Sequence, residues 1–411
     1  MQQDCDRVAG LDVHRDIVVA CVRVGRGDKV KLHRGKFATT AKGVKELISF
    51  MADLGVERVA MESTGVYWKP VYYPMEGCFQ ELWLCNAHHV QNVPGRKTDV
   101  NDAEWLADVA AHGMVRPSLV PPPEVRALRE LTRYRKTQVT MRGQEIQRLE
   151  KVLQDAGVKI TSFASNVLGV STRSMLEAML AGETDVKVLA DKAKGRMRSK
   201  IVGLEEALAP QLASHHKVAV RAILDHVDYL DASIARLDQA VLERMGPFEP
   251  AVAALVTIPG VGRMAAEMVV AESGADMSRF PTAGHFAAWA GVAPANYESA
   301  GKRQSRGARF GSPWLKRTLV ESAKSASRTK GSYLGAQYKQ IARRRGPNKA
   351  TIAVAHTLTV AIWHMLSDGT EWADLGPDFF QRDLGEHQQT TRLIAKLKAL
   401  GYEVTITPPA A

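Results

Sequence analysis

The chain has 411 residues, 45% of them hydrophobic and 24% charged, with a formal net charge of +11; that length exceeds the ~250 residues at which a single core usually stops growing, so more than one domain is expected. Its four cysteines, Cys5, Cys21, Cys78 and Cys85, form no CxxC pair and have no histidines at metal spacing, which argues against a disulfide framework or a cysteine-based zinc site. No basic stretch followed by an apolar run opens the sequence, and the most apolar segment, Ala350 to Leu366, carries His356 and His364, so a soluble, cytoplasmic chain without a membrane partner is predicted.

The first 120 residues read as alternating strands and helices. Val8 to Leu11, the β-branched run Ile17 to Val24, and Val30 to Phe37 after a Gly-Arg-Gly-Asp turn predict an antiparallel meander. Helical periodicity follows over Thr39 to Leu54, then short buried strands at Val59 to Met61 and Leu82 to Cys85. Three antiparallel strands followed by a helix-strand alternation is the order of an α/β RNase H-like domain.

Pro121 to Pro123 mark a linker whose last proline can open a helix. In the helix after it, Arg126, Arg129, Arg133 and Lys136 fall on one face as a basic stripe suited to a phosphate backbone, although a salt-bridged helix would carry the same pattern. From Val220 to Val241 apolar residues alternate at spacings of three and four, a heptad seam that needs a partner helix from this chain or another subunit. Residues 157–203 between them read as a small helical insert.

The third part opens with IPGVG, where Gly260 and Gly262 between apolar helical runs resemble a helix-hairpin-helix element whose backbone N–H groups reach a phosphate; a plain helix-helix turn is an equal reading. Lys302 to Lys349 then holds 14 basic residues against one acid, Glu321, the charge pattern of a polyanion-binding segment. A tail from 371 carries a short amphipathic helix near Thr391 to Leu400.

Four carboxylates carry the chemistry. Asp12 directly follows the first strand and Glu62 the strand Val59 to Met61; in an RNase H-like sheet those strands are neighbours and both acids meet at one edge. Asp99 and Asp102, in KTDVNDA, are three apart at the start of a predicted helix and share a face. An oxygen-rich set of this kind suits Mg²⁺, and a pair of such ions can serve phosphoryl transfer. Each acid taken singly is also ordinary turn or helix-start chemistry.

With GLDVH (10–14), MESTGVYW (61–68), KTDVNDA (97–103) and the run from IPGVG (258–262) through FAAWAGVAPANYESAGKR (286–303), the chain resembles the DEDD transposases of the insertion sequence 110 family over nearly its whole length. The resemblance implies a RuvC-like catalytic domain at 1–120, a helical coiled-coil region at 121–247, a mainly α C-terminal transposase domain at 248–370 and a tail at 371–411. It puts the catalytic, metal-binding tetrad on Asp12, Glu62, Asp99 and Asp102 and a serine nucleophile on Ser299, with Ser305 second because Ala300 stands where the family pattern has glycine. A serine hydroxyl can hold a cut strand as a covalent phosphoseryl link. The family further implies a homo-oligomer acting on donor and target DNA, guided by a structured non-coding bridge RNA that supplies sequence choice by base pairing. Arg126, Arg129, Arg133 and Lys136 are then the expected RNA contacts, and Gly260, Gly262, Lys302, Arg303, Arg306 and Arg309 further nucleic-acid contacts. Two other readings remain: a metal-dependent junction nuclease without a covalent intermediate, and a non-catalytic nucleic-acid scaffold.

Overall fold

The computed structural model describes residues 3–63, 65–87, 90, 93, 102–299, 302–308, 311–382 and 386–405. They form two compact units, Met1–Pro121 and Pro122–Ala411.

The first unit is built on a mixed sheet of order β3-β2-β1-β4-β5: β1 (Arg7–Val13), β2 (Ile17–Val24), β3 (Lys31–Ala38), β4 (Arg58–Glu62) and β5 (Glu81–Cys85). The first three strands are antiparallel neighbours, whereas β4 runs parallel to β1 and β5 parallel to β4. Helix α1 (Ala41–Asp53) supplies the crossover that a parallel pair requires, with Thr40 capping its first turn. A four-residue helix α2 (Lys69–Tyr72) follows β4, and α3 (Asp102–Ala111) follows β5.

Both faces of the sheet are covered, so β1 is apolar at nearly every position rather than at every other one. Leu11, Val13, Val18, Met61 and Leu84 meet Val44, Leu47 and Met51 of α1 on one face. On the other, Val8, Ala60 and Cys85 meet Leu106, Val109 and Ala110 of α3.

The second unit begins with α4 (Pro123–Asp155), which has proline in its first turn, and α8 (Ser214–Met245). They run antiparallel: Arg135 bonds Asp238 at 3.0 Å, Arg142 bonds Asp231 at 3.1 Å, and Glu145 meets His226 at 3.3 Å. The partner of the heptad seam is therefore α4 of the same chain. Its residues Val220, Val227, Leu230 and Val241 are buried, facing a side of α4 that buries polar Thr132, Arg135, Gln138 and Glu145 along its middle. Helices α5 (Val170–Leu180), α6 (Val186–Asp191) and α7 (Ile201–Leu208) make the insert, and its core of Val158, Ile160, Met175, Leu176 and Leu204 closes over Leu149, Leu153, Val220 and Leu224 at one end of the helix pair.

At the other end, α9 (Glu249–Val256), α10 (Arg263–Ser273), α11 (Ala283–Trp289), α12 (Pro313–Ala326), α13 (Tyr333–Arg345) and α14 (Pro347–Asp368) share a core with Leu128, Val241 and Met245. Helix α14 is long and apolar enough to cross a membrane, but Val354, Ala355, Leu358 and Ile362 are buried in that core. Two short helices complete the described chain, α15 (Phe379–Arg382) and α16 (Glu386–Ala399), the latter covering most of the amphipathic stretch predicted for the tail.

Between α11 and α12 lies an antiparallel hairpin of β6 (Pro294–Ser299) and β7 (Lys302–Ala308), paired from Ser299↔Lys302 through Tyr297↔Gln304 to Pro294↔Ala308. Periodicity predicts no strand in this stretch; β6 ends at Ser299, and β7 takes up the first part of the basic run.

Glu272 of α10 is fully buried. Arg133 grips it with two bonds of 2.6 and 2.9 Å, Arg129 approaches at 3.7 Å, and the Ser312 hydroxyl donates at 3.2 Å. Removing one partner of a buried pair typically costs ~3–5 kcal/mol. Because Arg133 keeps partial solvent access, Glu272→Gln is expected at the lower end, about 3 kcal/mol less stable in urea denaturation; a loss below about 1 kcal/mol would show that the pair does not hold these helices.

Candidate active site

Asp12 and Glu62 sit inside their strands rather than just after them, Asp12 as the penultimate residue of β1 and Glu62 as the last of β4. In the parallel register Leu11 stands beside Met61, so the next residues, Asp12 and Glu62, stand side by side at the carboxyl edge of adjacent strands, which lie ~4.8 Å apart in a sheet. Leu11 and Met61 point into the α1 face; strand alternation sends Asp12 and Glu62 to the α3 face. Both are half-buried.

What lets α3 lie on that face is Gly10. A Cβ there would stand 2.5 Å from the Ala107 backbone nitrogen and closer still to the Ala103 carbonyl oxygen. Three arginines from three strands then fix the helix along its length. Arg34 of β3 meets Glu104 at 2.6 Å, and Arg23 of β2, nearly buried, meets Asp108 at 3.4 Å. Arg58 of β4 donates to the Ala110 carbonyl at 2.8 Å while its guanidinium lies 4.0 Å over the Trp83 ring. The last residue of α3, Ala111, accepts from the backbone N–H groups of Asp4 and Cys5 just ahead of β1, whereas Ala103 lies over Gly10. The helix therefore runs opposite to β1, and its first residue, Asp102, comes to the edge that carries Asp12 and Glu62. Asp99 lies outside the described residues.

His14 was not singled out from the sequence. Its Nε2 stands 3.1 Å from Asp12 Oδ2, and the residue lies just past β1, at the start of the turn that leads into β2. Burial, and after it the Glu62 carboxylate, push the Cys85 thiol up to about 12; burial and Glu104, against Arg34, push Cys21 up to about 11. Neither supplies a thiolate at neutral pH, so this face offers carboxylate oxygens as its anionic donors.

The remaining predicted site residues lie in the second unit. Ser299 closes β6 opposite Lys302, Ser305 pairs with Asn296, and Arg303 and Arg306 lie on β7; Arg309 is outside the described residues. The basic stripe of α4 turns towards its own unit. Arg129 donates to the carbonyls of Ala271 and Glu272, Arg133 holds the Glu272 carboxylate, Lys136 pairs with Glu321, and Arg126 is half-buried. Gly260 adopts φ +88°, and a Cβ on it would stand 2.6 Å from the Ser322 carbonyl of α12, so helix packing already accounts for this glycine. Gly262 is exposed and caps α10.

A family model described as Transposase (DEDD_Tnp_IS110) matches residues 9–157, and one described as Transposase IS116/IS110/IS902 family matches residues 252–339. The chain belongs to the IS110 family of transposases. The first match takes in all four acids, the second Gly260, Gly262 and the hairpin with Ser299. A probable family 20 transposase of Pseudomonas aeruginosa is 24% identical over 68% of this chain and 74% of its own length. The transposase for insertion sequence element IS1111A of Coxiella burnetii is 24% identical over 88% of this chain and 90% of its own. An uncharacterized 43.6 kDa protein of insertion element IS110 from Streptomyces coelicolor is 30% identical over 41% and 38%. This is a transposase of an insertion sequence, a DNA-processing enzyme.

Gly10→Ala tests the placement of α3 in the transposase. The added methyl meets backbone that cannot rotate away, so a loss of roughly 1–3 kcal/mol is expected, the usual range for overpacking. An unchanged denaturation midpoint would refute the close-approach argument.

Proposed function

We propose that this transposase cuts and rejoins DNA strands with a magnesium-binding set of Asp12, Glu62, Asp99 and Asp102 and with Ser299 as nucleophile, acting as a homo-oligomer guided by a non-coding bridge RNA. The observation that carries the reading is the pairing of Asp12 with Glu62 at one edge of adjacent parallel strands, with Asp102 brought to the same edge by the helix that Gly10 admits. The strand order β3-β2-β1-β4-β5, antiparallel first and parallel after, supports an RNase H-like assignment of the domain.

The donor set fits a hard divalent ion. Its anionic members are carboxylates, the nearby thiols stay protonated, and two of the acids sit on strands that hydrogen-bond to one another. When bound, one or two Mg²⁺ ions draw off charge from the attacking and leaving oxygens of a phosphodiester. Asp12, Glu62 and Asp102, with Asp99, hold the ions, and His14 orients the Asp12 carboxylate. In the covalent step the Ser299 oxygen bonds to phosphorus, its proton passes to solvent, and a strand hydroxyl departs; attack by a strand hydroxyl in reverse frees the serine and reseals the backbone.

Asp12→Asn and Glu62→Gln should each reduce cleavage of element-end DNA by roughly 100-fold or more in Mg²⁺, the scale on which a missing electrostatic stabiliser acts, with DNA binding and melting temperature close to the parent; loss of folding instead would mean that the acids are structural. Ser299→Ala should abolish a protein-DNA adduct that survives denaturing electrophoresis. Cleavage with no adduct in the parent would favour the junction nuclease, an adduct that persists in Ser299→Ala would move the role to Ser305 or another residue, and binding without cleavage would leave a scaffold.

Polynucleotide contact is supported by exposed basic residues outside the α4 stripe. Lys324, Arg328 and Lys339 are exposed, and α13 ends in exposed Arg343, Arg344 and Arg345. The β7 residues Lys302, Arg303 and Arg306 extend the same basic sequence. Replacing Arg343, Arg344 and Arg345 by alanine is expected to weaken both DNA and RNA binding, and to reduce the slope of log affinity against log salt by ~0.9 for each duplex phosphate left without its arginine. An unchanged slope would exclude this face. Sequencing the RNA that accompanies the purified protein tests the guide: a single structured species is expected, and bulk cellular RNA would count against it.

A further inference from the structure

The second unit holds a cluster outside the carboxylate site. Asp155 is the last residue of α4, and His215 and His216 lie in the first turn of α8. Their ligand atoms all lie within 4.8 Å of one another. His216 Nε2 stands 3.0 Å from Asp155 Oδ2, and the two imidazole rings lie tilted by 47° with centroids 3.9 Å apart. His216 is mostly buried, with Nε2 turned to Asp155 and Nδ1, on the other side of the ring, without a hydrogen-bond partner.

We propose that Asp155, His215 and His216 form a binding site for a borderline divalent ion of the zinc class. Two imidazoles and one carboxylate are donors that such ions take, and zinc bonds of ~2.0–2.2 Å leave a fourth position for water. Drawing the three donors onto one ion needs only a small closure, which Asp155, 78% exposed, is free to supply by side-chain rotation. The set differs in chemistry from the carboxylates of the first unit, whose all-oxygen character suits magnesium.

The position gives the ion a role. The chain leaves the helix pair at Asp155, builds the insert, and returns at Ser214, so the ligands stand where one long excursion departs and rejoins. An ion across that neck ties residues about 60 apart in sequence, and cross-links that close long loops remove the most freedom from the unfolded chain. Metal would therefore lock the insert onto the stem.

Titration of the full-length protein with Zn²⁺ alone, read by calorimetry, tests the assignment. The parent should bind one more zinc equivalent than His215→Ala/His216→Ala. His215→Ala alone, whose side chain is exposed, should weaken that equivalent by about 10-fold or more, as a missing metal ligand does, without moving the metal-free melting temperature. Asp155→Asn should weaken it less. Zinc should slow proteolysis within residues 157–213 in the parent and not in the double variant. Equal stoichiometry and affinity in parent and double variant would overturn the proposal, as would loss of the zinc equivalent on Asp12→Asn, which would assign it to the carboxylates instead.

Discussion

The absence of a side chain at Gly10 is the constraint on which the geometry of the first unit depends. Strand β1 is central in the sheet and carries Asp12; α3 carries Asp102; the two can converge only if helix backbone lies directly on strand backbone. A residue of any other type would lift the helix by the width of a methyl group and carry Asp102 away from the sheet edge. The arginines that pin α3 cannot compensate for such a lift. Arg58 is nearly buried, held by Asp4 at 2.7 Å and by Glu81 as well as by Ala110, so it has little reach to spare.

A different device orders the second unit. Instead of close backbone contact it uses buried ions: Glu272 against Arg133 and Arg129, and Glu267 against Arg135 at 2.7 Å and Arg263 at 2.8 Å. Such pairs add little net stability over apolar packing, but they penalise any arrangement in which one member is left alone. They join α4 to α10 in one register. Through Ser312, which caps α12 and bonds to Glu272, the same network reaches the segment that follows the hairpin bearing Ser299.

Much of this is legible in the sequence, and the parts that are not have identifiable causes. The strands, α1, the linker proline and the heptad seam announce themselves by periodicity and turn residues. Asp12 and Glu62 can be paired because strand order implies neighbours. The α4 stripe allows two readings, a phosphate-tracking face and a salt-bridged helix; Arg129 and Arg133 do pair within the chain, but their partner Glu272 lies some 140 residues away, and no local pattern reveals such a partner. Gly260 reads equally as an N–H donor to phosphate or as a plain helix-helix turn, and its neighbour, the backbone of α12, is again distant in sequence. The hairpin escapes notice because polar, basic β7 lacks the apolar alternation by which strands are recognised. His14 is in plain view in GLDVH, but it lies one residue past β1, where the turn rather than a strand pattern sets its direction.

The way the insert is attached has a consequence for how this family of enzymes can vary. Residues 157–213 depart from and rejoin an antiparallel pair at the same end, and their apolar interior is shared with that end alone. Segments can be lengthened, shortened or exchanged there without altering how α4 and α8 align further along, because the opposite end of the pair is anchored independently by Leu128, Val241 and Met245. The stem thus insulates the helical core at its other end from change at its far tip, and diversification in this stretch leaves the rest of the unit undisturbed.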